Sequence, residues 1–256
     1  MAKYASNFAI TNPILDHVAL IMEKVGTLSD SASLSQIKEH SLLKPAFLPK
    51  DPFDPEGYLA EAKHREKGIK DISPLLRKLF LWAKKSQAKM NPLLLAAVYT
   101  YMLTALGPLK KGSEELALAY GKALLLPYRK IFGYLPYEKK VLSSAAASQK
   151  ALNLSGDSGD CGPYIVFLLG CISLSLDEAK KSLRSISKEQ TQLEKKLLSL
   201  MRSGVSYSSK ELMEKLGLKS RVAVKRNYLE PALKDGLIKM TLPSKINSPL
   251  QRYLKK

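Results

Sequence analysis

Residues 193–254 constrain the fold most, because apolar spacing, caps and breakers there allow one order of elements. Leu193, Leu197, Leu198 and Met201 recur at helical spacing until Gly204 ends the run. Ser208 and Ser209 cap a short helix over Lys210 to Leu216, and Gly217-Leu218-Lys219-Ser220 makes a tight turn. A third helix follows from Arg221 to Asp235. Gly236 to Leu242 reads as a strand, Pro243 to Pro249 as a turn, and Leu250 to Leu254 as the returning strand. Three helices, the last two joined through a short glycine turn, then a hairpin, spell a winged helix-turn-helix.

Upstream, the pattern is helical. Asn12-Pro13 opens a short amphipathic helix that Gly26 should stop. Four prolines and Gly57 make residues 44–57 an irregular loop. Ser73-Pro74 starts a second helix with Leu75, Leu76, Leu79, Phe80 and Trp82 on its apolar side. Asn91-Pro92 opens an almost wholly apolar third helix through Leu106, which predicts a central core position. The uncharged run Pro92 to Leu109 approaches membrane-spanning length, but its Thr and Tyr content argues for a buried core helix. Glu114 to Leu126 is a fourth helix and Tyr137 to Leu154 a fifth. Residues 155–160 form a turn into a sixth, ending near Leu176. The Gly-Asp-Ser-Gly-Asp of that turn lacks the Lys-Ser/Thr pair of a phosphate loop. The expected organisation is a helical domain over 1–176, a linker helix over 177–192 and the winged helix-turn-helix over 193–256.

The charge is uneven. The net is +18, from 41 basic against 23 acidic residues. Residues 188–256 carry 16 basic against 6 acidic, a net of +10, while the preceding 187 carry a net of +8. Such an excess favours a polyanionic partner and says nothing about fold. Cys161 and Cys171 lie ten residues apart, about 15 Å along a helix and beyond disulfide reach. His17, His40 and His64 are scattered, so no zinc spacing exists, no metal is predicted, and all three read as ordinary surface or helix residues. The N-terminal residues hold no apolar stretch of a secretory leader. A cytoplasmic protein with no membrane association is expected.

Several segments resemble bacterial Fic-family proteins, whose fold transfers a nucleotide moiety onto protein hydroxyls. Ile10 to Leu15 resembles the opening helix, and Pro92 to Tyr99 the helix leading into the active-site loop. Gly159-Asp160-Cys161-Gly162-Pro163-Tyr164-Ile165 is similar to the family's Gly-Asp-Cys-Thr-Pro-Phe-Ile segment. Leu229 to Ile238 and Ser248 to Tyr253 resemble the winged-helix tail of many members. The resemblance implies a mainly α protein: a Fic-like helical core followed by a C-terminal winged helix-turn-helix with a small β-hairpin wing.

The family loop reads His-Pro-Phe-x-(Asp/Glu)-Gly-Asn-Gly-Arg-x-x-Arg. On that pattern Gly107 stands at the His, followed by Pro108, with Leu109 at the Phe and Lys111 at the acid that would hold magnesium. Gly112 matches a Gly, Ser113 replaces Asn, Glu114 the next Gly, and Glu115 and Leu118 the two arginines. No register restores a His, because none follows His64. A hydroxyl needs a base to become nucleophilic, and charge on the transferred phosphate needs metal and arginine. The resemblance therefore implies an inactive Fic-like protein without cofactor. The alternative is a Fic-type nucleotidyl (AMP) transferase with a non-standard site. The family's inhibitory Ser-x-x-x-Glu-Gly-Asn helix has its nearest counterpart at His40 to Phe47, which contains no Glu.

That leaves the basic tail. Arg221, Lys225 and Arg226 lie near the start of its third helix, the end that enters the major groove in DNA-binding relatives. Lys219, Ser220, Lys245 and Arg252 are candidate phosphate clamps from the turn and the hairpin. The partner is double-stranded DNA or a protein docked on the winged helix, and a homodimer stays open.

Overall fold

The computed structural model describes residues 8–28, 47–69, 72–246 and 248–256. These fall into two compact units, Met1–Lys180 and Lys181–Lys256. The first is helical: α1 (Asn12–Leu28), α2 (Pro55–Arg65), α3 (Ser73–Ser86), α4 (Pro92–Leu106), α5 (Ser113–Leu125), a 3₁₀ turn (Lys130–Gly133), α6 (Tyr137–Ser143) and α7 (Ala145–Ser158). Helix α8 (Gly162–Leu200) begins in this unit and ends in the second.

Helix α4 forms the centre, as its uninterrupted apolar run predicts. Asn91 Oδ1 accepts the Leu93 amide at 2.9 Å, Pro92 occupies the first turn, and Gly107 ends the helix in a left-handed conformation. Leu93, Ala97, Val98, Tyr99 and Leu103 are fully buried, each large aliphatic side chain contributing about 2 kcal/mol. Helix α5 packs tightly on α4. A Cβ at Gly121 would lie 2.1 Å from Thr100 Oγ1, so only glycine permits this approach. An edge-on aromatic cluster, Tyr58 with Phe80 and Tyr120 at 5.9 and 5.0 Å, ties α2 and α3 to that pair. On α1, Lys24 reaches α8 through Asp177 and Ser173, both at 2.7 Å.

The second unit holds β1 (Ser206–Ser208), α9 (Ser209–Lys215), α10 (Arg221–Val224), a π-helical stretch (Lys225–Leu229), α11 (Glu230–Lys234), β2 (Ile238–Met240) and β3 (Arg252–Lys255). The sheet order is β1-β3-β2, all antiparallel, with Tyr207 opposite Tyr253 and Met240 opposite Tyr253 on the other side. Leu197, Leu212, Val224, Leu229 and Ile238 form its core. A full capping box starts α9: Ser208 Oγ accepts the Glu211 amide while Glu211 accepts the Ser208 amide.

Several expectations need correction. Helix α1 continues past Gly26 to Leu28, the glycine lying open to solvent with nothing within 4 Å of an added Cβ. The proline-rich loop gives way at Pro55 to α2, because Asp54 caps the Glu56 amide and proline suits a first turn. The fifth helix is two, broken at Ser144, and α7 runs on to Ser158 through the expected turn; only Gly159 is left-handed. The sixth helix does not stop near Leu176 but runs to Leu200, since no Gly or Pro interrupts it after Gly170. The third tail helix widens into a π stretch before Pro231, whose missing N–H cannot close an ordinary turn. His40 and the counterpart of the inhibitory helix, apart from Phe47, lie outside the described residues. An 18-residue window within Gly162–Ser185 of α8 is apolar enough to span a membrane by length and composition, and half of that window is buried inside the protein.

Candidate functional site

Two places carry the residues singled out by sequence. The first is the loop between α4 and α5. Gly107 has φ +45°, and an added Cβ there would lie 3.3 Å from the Thr104 carbonyl oxygen. Pro108 and Leu109 turn inward and are buried, while Lys110, Lys111 and Gly112 face solvent. The Ser113 hydroxyl donates to the Leu109 carbonyl at 3.0 Å and accepts the Leu109 amide at 3.1 Å, closing the loop on itself. Glu66 at the end of α2 accepts the Lys110 amide at 2.9 Å.

Helix α5 therefore begins with carboxylates, and both are engaged. Glu114 accepts from the hydroxyls of Ser148 and of Tyr164, the latter at 3.1 Å. Glu115 lies 3.5 Å from Arg65, which also holds Glu61 at 2.8 Å. Two negative side chains at a helix N-terminus already complement its dipole. Leu118, in place of an arginine on the family pattern, is 1% exposed and belongs to the core. One turn further on, the buried Lys122 ammonium donates to the Leu135 carbonyl at 2.7 Å and to Glu138 at 2.8 Å. Burial pushes the Lys122 pKa down, against the opposing pull of Glu138. The nearby thiols are unreactive by burial: Cys161 is pushed up to about 12 and Cys171 to about 11. Among the described residues no three His, Cys, Asp or Glu side chains converge as metal ligands. His17 is half-buried against Gly170 and His64 is exposed.

The second place is an open cleft of about 490 Å³ in the tail unit. Arg221, Val222 and Lys225 line it from α10 and the π stretch, Lys210 from α9, and Ile246 and Pro249 from the hairpin loop. Among the described residues no carboxylate lines it. None of the three cations makes an ion pair among the described residues. The Gln251 side chain, 5% exposed, also lines it, with Oε1 unpartnered and Nε2 donating to the Arg252 carbonyl at 2.8 Å.

The cleft thus brings Arg221 and Lys225 together and adds Lys210, which the sequence reading did not single out. Its position one residue inside the α9 capping box was the available signal. Lys219 and Lys245 are exposed and form no ion pair among the described residues, in the turn and the hairpin loop outside the cleft lining. Ser220 is spent as a cap, accepting the Ala223 amide at 3.3 Å. Arg226 donates to Asn227 at 3.2 Å. Arg252 is held inside the unit: its guanidinium donates to the Ser206 hydroxyl at 2.9 Å, the Ser206 carbonyl at 2.7 Å and Glu211 at 2.8 Å. The Glu211 carboxyl is pulled below the usual range first by the Ser208 amide and then by Arg252.

A helical unit with a carboxylate-filled loop, joined to a small basic unit of helices and a three-stranded sheet, defines the class. Residues 192–254 match the family described as filamentation induced by cAMP protein Fic-like, C-terminal domain. The whole chain is similar in fold to a Fic family protein from Desulfovibrio desulfuricans G20, with a TM-score of 0.55, 20% identity, and 97% of each chain covered. Among curated proteins none matches. The C-terminal residues thus match a Fic-like domain, and the chain as a whole shares the fold of a Fic family protein.

Proposed function

We propose that this protein performs no nucleotidyl transfer, is cytoplasmic, and acts through a winged helix-turn-helix that binds duplex DNA in a regulatory role. The observation that carries the reading is the tail cleft, where Lys210, Arg221 and Lys225 converge without a carboxylate to neutralise them. Three unpaired cations around one concave surface attract a polyanion, and a rod-shaped helix with its charged end exposed suits the major groove. The loop supports the other half. A triphosphate would meet Glu114 and Glu115 at the start of α5, with Gly107 at the place of the base and no histidine later in the chain.

Fluorescence anisotropy of a labelled random-sequence duplex with the full chain tests the first half. Binding at low salt that weakens steeply as salt rises is expected, and no binding at low salt would overturn it. Incubation of the chain with labelled ATP, UTP, CTP or GTP and cell lysate tests the second. Blank lanes are expected, and one labelled target would return the protein to the transferases. A protein partner is the second reading, favoured by Ile246 and Leu250, which are 56% and 76% exposed on the hairpin loop. A partner held there would bind with little dependence on salt.

A further inference from the structure

Val222 is out of place on a surface that only holds phosphates. It is 73% exposed, although its neighbour Val224 and the following Tyr228 and Leu229 supply the buried face of the same rod. It packs against no core, and it stands directly after Arg221 and three residues before Lys225, on the wall of the cleft. Residues three and four apart share a helix face, so Arg221 and Lys225 flank Val222 on the side that looks outward. An apolar side chain set among unpaired cations cannot gain from a phosphate. It can gain from an apolar group displayed within a polyanion.

In the major groove of duplex DNA only thymine displays one, its 5-methyl group, and guanine displays the paired O6 and N7 acceptors that an arginine fork fits. We infer that Arg221 and Val222 read base edges, selecting a guanine with a thymine beside it, while Lys210 and Lys225 hold the flanking phosphates. The inference rests on the DNA-binding reading and adds selectivity to it. Arg221 is free to do this because no carboxylate or carbonyl engages its guanidinium among the described residues, unlike Arg252, whose Nε and Nη2 are engaged by Ser206 and Glu211 within the unit. Lys210 projects from a different helix than Lys225, so the two cations can contact backbone on either side of the bases that α10 faces.

The test starts from a library of randomised duplexes selected against the full chain. Enrichment of a G/T-containing step is expected. Replacing the enriched thymine by deoxyuridine removes one methyl group and nothing else, and should weaken binding about fourfold, the worth of one buried methyl. Val222→Ala should abolish the thymine-over-uracil preference, so that both duplexes bind alike, and Arg221→Lys should relax the choice of guanine. Salt-dependent binding of the library with no enriched step would overturn base reading and leave DNA binding standing. An enriched step indifferent to uracil would overturn the role of Val222. Failure to bind any duplex would remove the DNA reading itself, and this inference with it.

Discussion

If the tail binds DNA as proposed, its salt dependence follows from which cations are free. Lys210, Lys219, Lys225 and Lys245 are exposed and form no ion pair among the described residues. Each phosphate neutralised releases condensed counterions and adds about −0.9 to the slope of log affinity against log salt. Four contacts give a slope of about −3.6, so a fourfold rise in salt should cost about 150-fold in affinity. Changing Lys210 and Lys225 together to alanine halves the contacts. The slope should fall to about −1.8 and the same rise in salt should cost only about 12-fold. Arg252→Ala is the discriminating control. Sequence alone makes Arg252 a phosphate clamp, but its guanidinium is committed to Ser206 and Glu211, so its loss should leave the slope unchanged. Anisotropy titrations of the full chain across a potassium chloride series supply the slopes, and circular dichroism confirms that each variant is folded. A slope that ignores the two lysines, or that drops with Arg252→Ala as it does with a lysine, would refute the assignment of free and committed cations.

The helical unit supplies three further expectations. Glu138→Gln leaves the Lys122 ammonium, 1% exposed, without its counter-charge and should cost about 3–5 kcal/mol in urea unfolding; Lys122→Met should cost less, and a Glu138→Gln chain as stable as the parent would contradict a buried ion pair there. Gly107→His should destabilise by about 1–2 kcal/mol, because the position has φ +45°, and should not bring nucleotide transfer; labelled protein with this variant would show that only the base was missing. Burial raises the hydroxyl pKa of Tyr58, Tyr99, Tyr120, Tyr137 and Tyr164. Their contribution is therefore complete below about pH 10 and lost above it, at up to about 1.4 kcal/mol per pH unit for each phenol, as the unfolded chain ionises first. Lys122 works the other way, gaining stability with pH until the ordinary lysine value, but it is one group against five. The urea midpoint should thus fall steeply above about pH 10, and a flat profile would mean these hydroxyls are not buried.

What the sequence disclosed was local. The apolar run and caps of α4, the capping serines of α9 and the glycine turn after it are written in a few adjacent residues, and the structure has each where pattern puts it. What it hid was long-range or diluted. Strand β1 is three residues long and exists because Ser206 to Ser208 pair with β3 nearly fifty residues later. Helix α2 buries only Tyr58, Leu59 and Ala62 on a largely polar rod, so its periodicity is faint, although Asp54-Pro55 was a legible start. The polar middle of α8 suggested a separate linker helix, yet Lys, Glu, Gln and Leu are good helix formers and no breaker interrupts them. At the sites, the residue types were readable but their commitments were not. Nothing near Arg252 in sequence announces Glu211 and Ser206, and nothing near Glu114 announces Ser148 and Tyr164.

Those commitments bear on the proposal that the α4–α5 loop does no chemistry. A helix N-terminus holds a phosphate when its amides face an empty, cation-rich space. Here Glu114 fills part of that space with a carboxylate fixed by two hydroxyls, and Glu115 faces Arg65, so an incoming phosphate must displace or approach negative charge. Leu118 cannot be exchanged for a cation without burying that cation where a leucine is 1% exposed. On that proposal, transfer at this loop would require a base at a left-handed glycine, removal of two engaged carboxylates and a new cation in the core. The tail cleft needs nothing altered to meet a polyanion: its cations are already assembled, exposed and unpaired. On this proposal one unit must be rebuilt at several points and the other at none, which favours the tail cleft as the working surface.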